Sequence, residues 1–236
     1  LAPYDTFSRK TRHEMSEELN QVLKARRDKL QRIMDEGDTP FAYAFERSHD
    51  SSTARAVFEA AETQGELSDS GEGPAVRVAG RIVSWRGHGK SAFAHVEDGA
   101  GRIQLYLRRD VLGDDSFARA MERLDLGDWL GVEGPAFRTR TGEVTVRVEA
   151  WWLLSKSLRP LPMGKVEVDE ETGERVVHSG FSDTESRYRQ RYADLAVHPE
   201  VRETFRARAR IVSELRRFLD DEGYLEVETP ALQPLY

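Results

Sequence analysis

Helical periodicity dominates the first part of the chain. Over residues 13–36, HEMSEELNQVLKARRDKLQRIMDE, apolar side chains recur at Leu19, Val22, Leu23, Leu30, Ile33 and Met34. That spacing predicts an amphipathic helix with one buried stripe, and Gly37 supplies its stop. The other face carries Lys24, Arg26, Arg27, Lys29 and Arg32, which reads either as a solvated face or as a surface for phosphates. ARAVFEAAETQ (54–64) predicts a second, shorter helix, and the polar SDSGEGPA (68–75) reads as a linker or loop.

After Pro74 the period drops to two. VRVAGRIVSW, SAFAHVED and GRIQLYLR alternate as strands, with Gly99 and Gly101 marking the turn before the third. DVLGDDSFARAMERL then returns to helical spacing through Val111, Leu112, Phe117, Met121 and Leu124. Two more strands follow, DWLGVEGPAFR and EVTVRVEAWWLL, joined around TRTG at 139–142. The order β-β-β-α-β-β fits a five-stranded OB-type barrel, a fold that binds oligonucleotides on strands two and three and in the loops joining strands one to two and four to five.

From Leu158 the pattern changes again. LRPLPMGK is a proline-stiffened connector, VEVDEETGERVVHSGFSDTE is a charged, irregular insertion or hairpin, and RYRQRYADL is dense in Arg and Tyr. VRETFRARARIVSELRRFLDDEGY predicts a long amphipathic helix lined by Val201, Phe205, Ala209, Val212, Leu215 and Leu219, ended by Gly223. YLEVETPAL alternates as a short strand closed by Pro230. One helix and one strand cannot bury both of their faces, so this last element is expected to need a partner outside the chain. The fold class is α+β, divided into an N-terminal helical extension (1–74), a barrel (75–157), a linker with a charged insertion (158–200) and the start of a further domain (201–236).

Composition narrows the function classes. The 236 residues include no cysteine, which excludes disulfides and Cys-ligated zinc, and the six histidines show no metal-ligand spacing, so no metal site is expected. No apolar run is long enough for a membrane span. The N-terminus lacks both the apolar core of a secretory signal and an initiator Met, as a trimmed end would. The net charge of −7 does not announce a nucleic-acid binder, but polyanion binding depends on local basic patches.

GHGKS (87–91) has the look of a phosphate-cradling loop. Such a loop needs a glycine five positions before its Gly-Lys, where this chain has Ser84, and a helix after the lysine, where this chain has a strand pattern. The phosphate-loop reading fails on both counts. What remains is a connection between strands one and two carrying Arg86 and Lys90, matched by Arg138 and Arg140 between strands four and five. Phe93 and Gln104 fall on strands two and three, and Glu143 on the second loop. Singly these are a core ring, a strand polar residue and a turn residue. Together they read equally as those ordinary roles and as a binding site for single-stranded nucleic acid, in which Phe93 would stack a base and Gln104 and Glu143 would bond its edge.

In these blocks the chain resembles a known family. VRVAGRIVSWRGHGKSAFAHVEDGAGRIQLYLRRDVLG, LDLGDWLGVEGPAFRTRTGEVTV, LLSKSLRPLP, RYRQRYADL and FLDDEGYLEVETP are similar, in that order, to the N-terminal half of bacterial-type lysyl-tRNA synthetases, class II enzymes grouped with the aspartyl and asparaginyl ones. EELNQVLKARRDKLQRIMDEGDTPFAYAF resembles the leading helix of that family and the G-x-x-P-[FY] after it. The resemblance implies that Phe93 stacks on an anticodon uridine, that Gln104 and Glu143 read uridine edges, and that Arg86 contacts an anticodon base or phosphate. It implies that 201–236 opens the catalytic domain with motif 1, whose Phe205, Val212, Leu215, Leu219 and Pro230 build a homodimer interface. It further implies a cytoplasmic enzyme that uses ATP and Mg²⁺ to activate lysine and charge lysine tRNA. Motifs 2 and 3, which clamp ATP, do not occur before residue 236, so neither these cofactors nor catalysis is expected of this chain alone. The arginines of RYRQRY read either as tRNA contacts or as interdomain ion pairs. Two rival readings are a stand-alone tRNA- or RNA-binding module and an interaction protein that dimerises through the last helix.

Overall fold

In the computed structural model the described residues are 5–163, 165–168, 175–178 and 181–230, with side chains from 20–163 and 181–230. They fall into two compact units, 1–160 and 161–236.

The first unit is a barrel with two helices on its outside. Strand β1 (Glu72–His88) is long enough to serve two neighbours, pairing its first half with β4 (Trp129–Arg138) and its second half with β2 (Ser91–Glu97). Where the halves meet, Gly80 lies so close to β2 that a Cβ would meet the Glu97 carbonyl oxygen at 2.8 Å, and the register with β2 shifts between Ile82 and Ser84. β2 pairs antiparallel with β3 (Arg102–Arg108), and β3 pairs in parallel with β5 (Val144–Val148), which returns antiparallel to β4. The circuit β1-β2-β3-β5-β4-β1 closes the predicted five-stranded barrel. The last arm, expected as one strand over 143–154, bends at Glu149 and continues along β4 as β6 (Ala150–Ser155). The bend sits opposite Gly134, whose missing side chain leaves room for the Arg147 carbonyl.

Strict alternation builds the core. Val76, Val78 and Ile82, then Ala92, Ala94 and Val96, then Ile103, Leu105 and Leu107 point inward with Leu130, Val132, Val146 and Val148. The predicted helix over 110–124 is two: α3 (Arg109–Leu112) and α4 (Asp114–Arg123), separated by Gly113 at φ 79°. Phe117 and Ala120 of α4 complete the cluster.

Helix α1 (Asp5–Asp35) docks differently from its apolar pattern. Ile33 is buried, but Val22 and Met34 are exposed, while Arg26 is only 7% exposed. Arg26 donates to the carbonyls of Leu126 (2.9 Å) and Ser157 (2.8 Å), Lys29 bonds Asp125 (2.7 Å), and Arg32 bonds Glu122 (2.6 Å). Arg26 and Lys29 are therefore committed to the barrel, and neither reading of that face holds for them, while Arg32 makes an exposed surface ion pair. Lys24 and Arg27 remain exposed. Beneath them Lys156, fully buried, donates to Asp125 (2.6 Å), Asp128 (2.7 Å) and the Arg123 carbonyl (2.7 Å). Asp128 also accepts from the amides of Ser157 and Asp125, so the buried charges are compensated on both sides.

Helix α2 (Ser51–Gln64) begins at a capping box on Asp50, whose carboxyl is drawn down to about 2 by the Thr53 amide and hydroxyl and the Ser52 hydroxyl. Its Phe58 packs on Ala136 and Val144 with Leu67 alongside. The segment 68–75, read as a linker or loop, is a hydrogen-bonded turn only over 68–71, with the Gly71 amide on the Ser68 carbonyl at 2.8 Å, and from Glu72 it is already β1.

In the second unit, β7 (Lys165–Val168) and β8 (Arg175–His178) form a hairpin within the charged insertion, followed by α5 (Thr184–Arg189), α6 (Arg191–Val197) and α7 (Pro199–Asp221). Asp194 is buried, and burial opposes its ionisation. Arg187 (2.7 Å), His198 (2.7 Å) and Arg191 outweigh that and hold its carboxyl below the usual range. All three arginines of RYRQRY thus make ion pairs inside this unit, Arg187 and Arg191 with Asp194 and Arg189 with Glu185, which neither sequence reading anticipated. α7 ends at Gly223, at φ 85°. The strand expected from Tyr224 has no pairing over 224–230 among the described residues, because an extended segment becomes a strand only beside another, and 231–236 lie outside them.

Replacing Lys156 with Met leaves Asp125 and Asp128 facing each other without their shared cation. We expect a loss of about 3 kcal/mol in urea unfolding at neutral pH. Burial opposes ionisation of Asp125, but Lys156 and Lys29 outweigh it and hold its carboxyl below the usual range. A carboxyl depressed in the folded state stabilises above its unfolded value of about 4, and that contribution is lost as pH falls through the folded value. The gap between the two proteins should accordingly narrow in acid.

Candidate nucleic-acid interface

Inward alanines decide the outward face of β2. With Ala92 and Ala94 in the core, Phe93 and His95 must point out, which settles the choice between core ring and displayed ring in favour of display. Register then aligns two rows across the barrel wall. Phe93 stands beside Arg86 on β1 and Tyr106 on β3. His95 stands beside Ser84 and Gln104, and Gln104 beside Thr145 of β5.

The first row is aromatic. Phe93 and Tyr106 stack at 4.4 Å between centroids and 14° between planes, and Phe137 of β4 tilts against Tyr106 at 6.1 Å. One face of Phe93 is thereby taken by Tyr106, and the pair presents a flat apolar edge of the kind on which a base stacks.

The second row is a hydrogen-bonded chain. The Thr145 hydroxyl donates to Gln104 Oε1 (2.7 Å), and Gln104 Nε2 donates to Glu143 Oε2 (2.7 Å). His95 Nε2 donates to Glu143 Oε1 (2.8 Å), and His95 Nδ1 meets the Ser84 hydroxyl at 2.8 Å. The β4–β5 turn sets Glu143 in this position. Thr139 and Glu143 close it through Thr139 N to Glu143 O (2.9 Å) and Glu143 N to Thr139 Oγ1 (3.0 Å). Gln104 is 7% exposed and Thr145 is fully buried, while the Glu143 side chain is 41% exposed. The carboxylate is therefore the part of the chain that a ligand reaches.

The structure brings Phe93, Gln104 and Glu143 together and leaves Arg86, Lys90 and Arg140 exposed, Lys90 and Arg140 on the adjoining loops and Arg86, expected on the first loop, within β1 because that strand runs on to His88. It does not add Arg138 to them. The Arg138 Nε lies 2.9 Å from Glu62 of α2, and its guanidinium covers the Phe58 ring at 5.5 Å. That pairing raises the guanidinium's pKa and lowers that of the Glu62 carboxyl. Arg138 was counted as loop charge because no local pattern signals that α2 runs alongside the end of β4. Ser84, His95, Tyr106 and Thr145 were missed. The parity that places Phe93 and Gln104 outward also places His95 and Tyr106 outward, so two of these four were readable. No group of three or more His, Asp or Glu side chains among the described residues is arranged to hold a metal ion. No helix among them is long and apolar enough to cross a membrane.

Residues 76–154 match the family described as OB-fold nucleic acid binding domain, and residues 183–236 match tRNA synthetases class II (D, K and N). The chain is 45% identical over 223 residues to the lysine–tRNA ligase of Halalkalibacterium halodurans, covering 94% of this chain and 41% of that protein. It is 45% identical over 219 residues to that of Carboxydothermus hydrogenoformans (93% and 40%). To that of Bacillus subtilis it is 42% identical over 219 residues (93% and 40%). The resemblance read from the sequence is thus real along nearly the whole chain, which spans about two fifths of the length of the curated relatives it matches.

Thr145→Val removes the donor to Gln104 Oε1 and leaves a buried carbonyl unpaired. This should cost about 1–2 kcal/mol in urea unfolding, whereas Thr145→Ser, which keeps the hydroxyl, should recover most of it.

Proposed function

We propose that this chain is the tRNA-reading part of a lysine–tRNA ligase and that its barrel recognises the lysine tRNA anticodon. The observation that carries the reading is the meeting of Phe93, Gln104 and Glu143 on one outward face, from three separate stretches of sequence. Uracil offers an N–H donor at N3 between two carbonyl acceptors. A carboxylate such as Glu143 accepts from N3–H, and Gln104, with one amide hydrogen already on Glu143, keeps a second for a carbonyl. Phe93 supplies the stacking surface. Arg86, Lys90 and Arg140 supply positive charge for the backbone, so an acidic protein gains a locally basic mouth.

In the complete enzyme, ATP and Mg²⁺ would serve lysine activation and transfer to tRNA in the cytoplasm, on residues beyond those described. The helix α7 leaves Phe205, Val212, Leu215 and Leu219 between 40% and 61% exposed. We assign this stripe, together with Pro230, to a homodimer interface, since a continuous apolar face of that size needs cover.

Titration of the anticodon stem-loop at one fixed salt concentration tests the first assignment. The native loop should bind at least about tenfold more tightly than a variant with its central uridine changed to cytidine. Phe93→Ala should weaken native binding by about 1–3 kcal/mol. Equal binding of the two loops would leave a non-specific RNA-binding module. For the second assignment, Leu215→Asp in the complete enzyme should shift its sedimentation from dimer to monomer, and an unchanged dimer would remove α7 from the interface.

A further inference from the structure

Of the residues in the hydrogen-bonded row that the proposed reading does not use, His95 is the one whose side chain bonds the Glu143 carboxylate. His95 contributes no stacking surface and its ring is 19% exposed, yet it holds one oxygen of the carboxylate on which base recognition turns. Its Nε2–H occupies Glu143 Oε1 at 2.8 Å while Gln104 Nε2–H occupies Oε2 at 2.7 Å. Each oxygen is thus fixed by one donor and keeps a lone pair for a ligand. On its far side the ring is held through Nδ1 by Ser84 at 2.8 Å.

We infer that His95 is a positioning residue for specificity: by pinning Glu143 as an acceptor at the base-reading face, it sets the discrimination between a base that presents an N–H there and one that presents a lone pair. The inference rests on the proposed reading of the anticodon. Uracil offers a hydrogen at N3 and cytosine offers a lone pair, so a fixed carboxylate accepts from the first and repels the second. A carboxylate freed of His95 rotates away from cytosine at little cost, and the repulsion that excludes cytosine is lost. The geometry separates this role from simple packing. The barrel interior behind β2 is filled by Ala92, Ala94 and Val96, and His95 lies outside it. Glu143 is itself the most exposed member of the row, with the greatest freedom to turn once a donor is removed.

Two substitutions in the 236-residue chain divide the ring's two contacts. His95→Gln keeps an N–H close to the place of Nε2, and His95→Asn keeps only a group near Nδ1. With the two anticodon stem-loops, the unsubstituted chain and His95→Gln should both prefer uridine by about tenfold. His95→Asn should prefer it by less than about threefold, chiefly through tighter binding of the cytidine loop. If His95→Asn instead weakens both loops equally and keeps the ratio, His95 is merely structural and the inference falls. A second readout uses no RNA. The side-chain amide resonances of Gln104, bonded to the same carboxylate, should move in His95→Asn and stay near their original place in His95→Gln. Unmoved Gln104 resonances in His95→Asn would overturn the inference even if anticodon reading stands. Equal binding of both loops by the unsubstituted chain would overturn anticodon reading itself, and the specificity role of His95 with it.

Discussion

The parallel pairing of β3 with β5 is the constraint on which the rest of the barrel wall depends. It is the contact that turns a meander into a closed circuit, and it sets Gln104 beside Thr145. Residues 41 positions apart are thereby joined by a buried hydrogen bond of 2.7 Å. The same closure carries the β4–β5 turn over the outward face of β2 and β3, where Glu143 meets both His95 and Gln104. Shifting β5 by one residue would send Thr145 into the core and turn Val144 and Val146 to solvent, so the register is protected by burial. Recognition chemistry and barrel closure are one arrangement here.

A second set of contacts explains why the leading helix is part of the same unit. The buried Lys156 binds the carboxylates of Asp125 and Asp128, and α1 adds Lys29 and Arg26 from outside. Such a node gives orientation more than stability, since each charge had to leave water to reach it. It also commits Arg26 and Lys29, two of the helix's five basic side chains, to the barrel rather than to a polyanion. The exposed basic residues near the stacked rings are Arg86 at the end of β1 and Lys90 and Arg140 on the barrel loops, which is consistent with a ligand that enters at that end.

The barrel was legible because its strands have one clean inner face. VRVAGRIV, SAFAHV and RIQLYL alternate without exception through the core, and Gly99, Gly101 and the TRTG segment punctuate them. The bend at Glu149 was not legible, since the run AWWLL is apolar on both faces and hides the change of phase from Val146 and Val148 to Trp151 and Leu153. The α1 stripe misled for a related reason. Periodicity reports which side chains share a face, and a face completed by Arg26 and Lys29 has no apolar signature. Phe93 and Gln104 could be placed from parity, and Glu143 from its turn. The bonds joining Glu143 to His95, and Arg138 to Glu62, arise only once distant segments are adjacent. The strand after Gly223 shows the same limit from the other side, for its pattern is present and its partner is not among the described residues.

Mapping amide and side-chain resonance shifts of the chain on addition of the lysine tRNA anticodon stem-loop tests the central claim most directly. The account predicts that shifts concentrate on Arg86, Phe93, His95, Gln104, Tyr106 and Glu143 and on the loops holding Lys90 and Arg140. Shifts confined to Lys24 and Arg27 of α1 or to α7, with the barrel face unmoved, would contradict it.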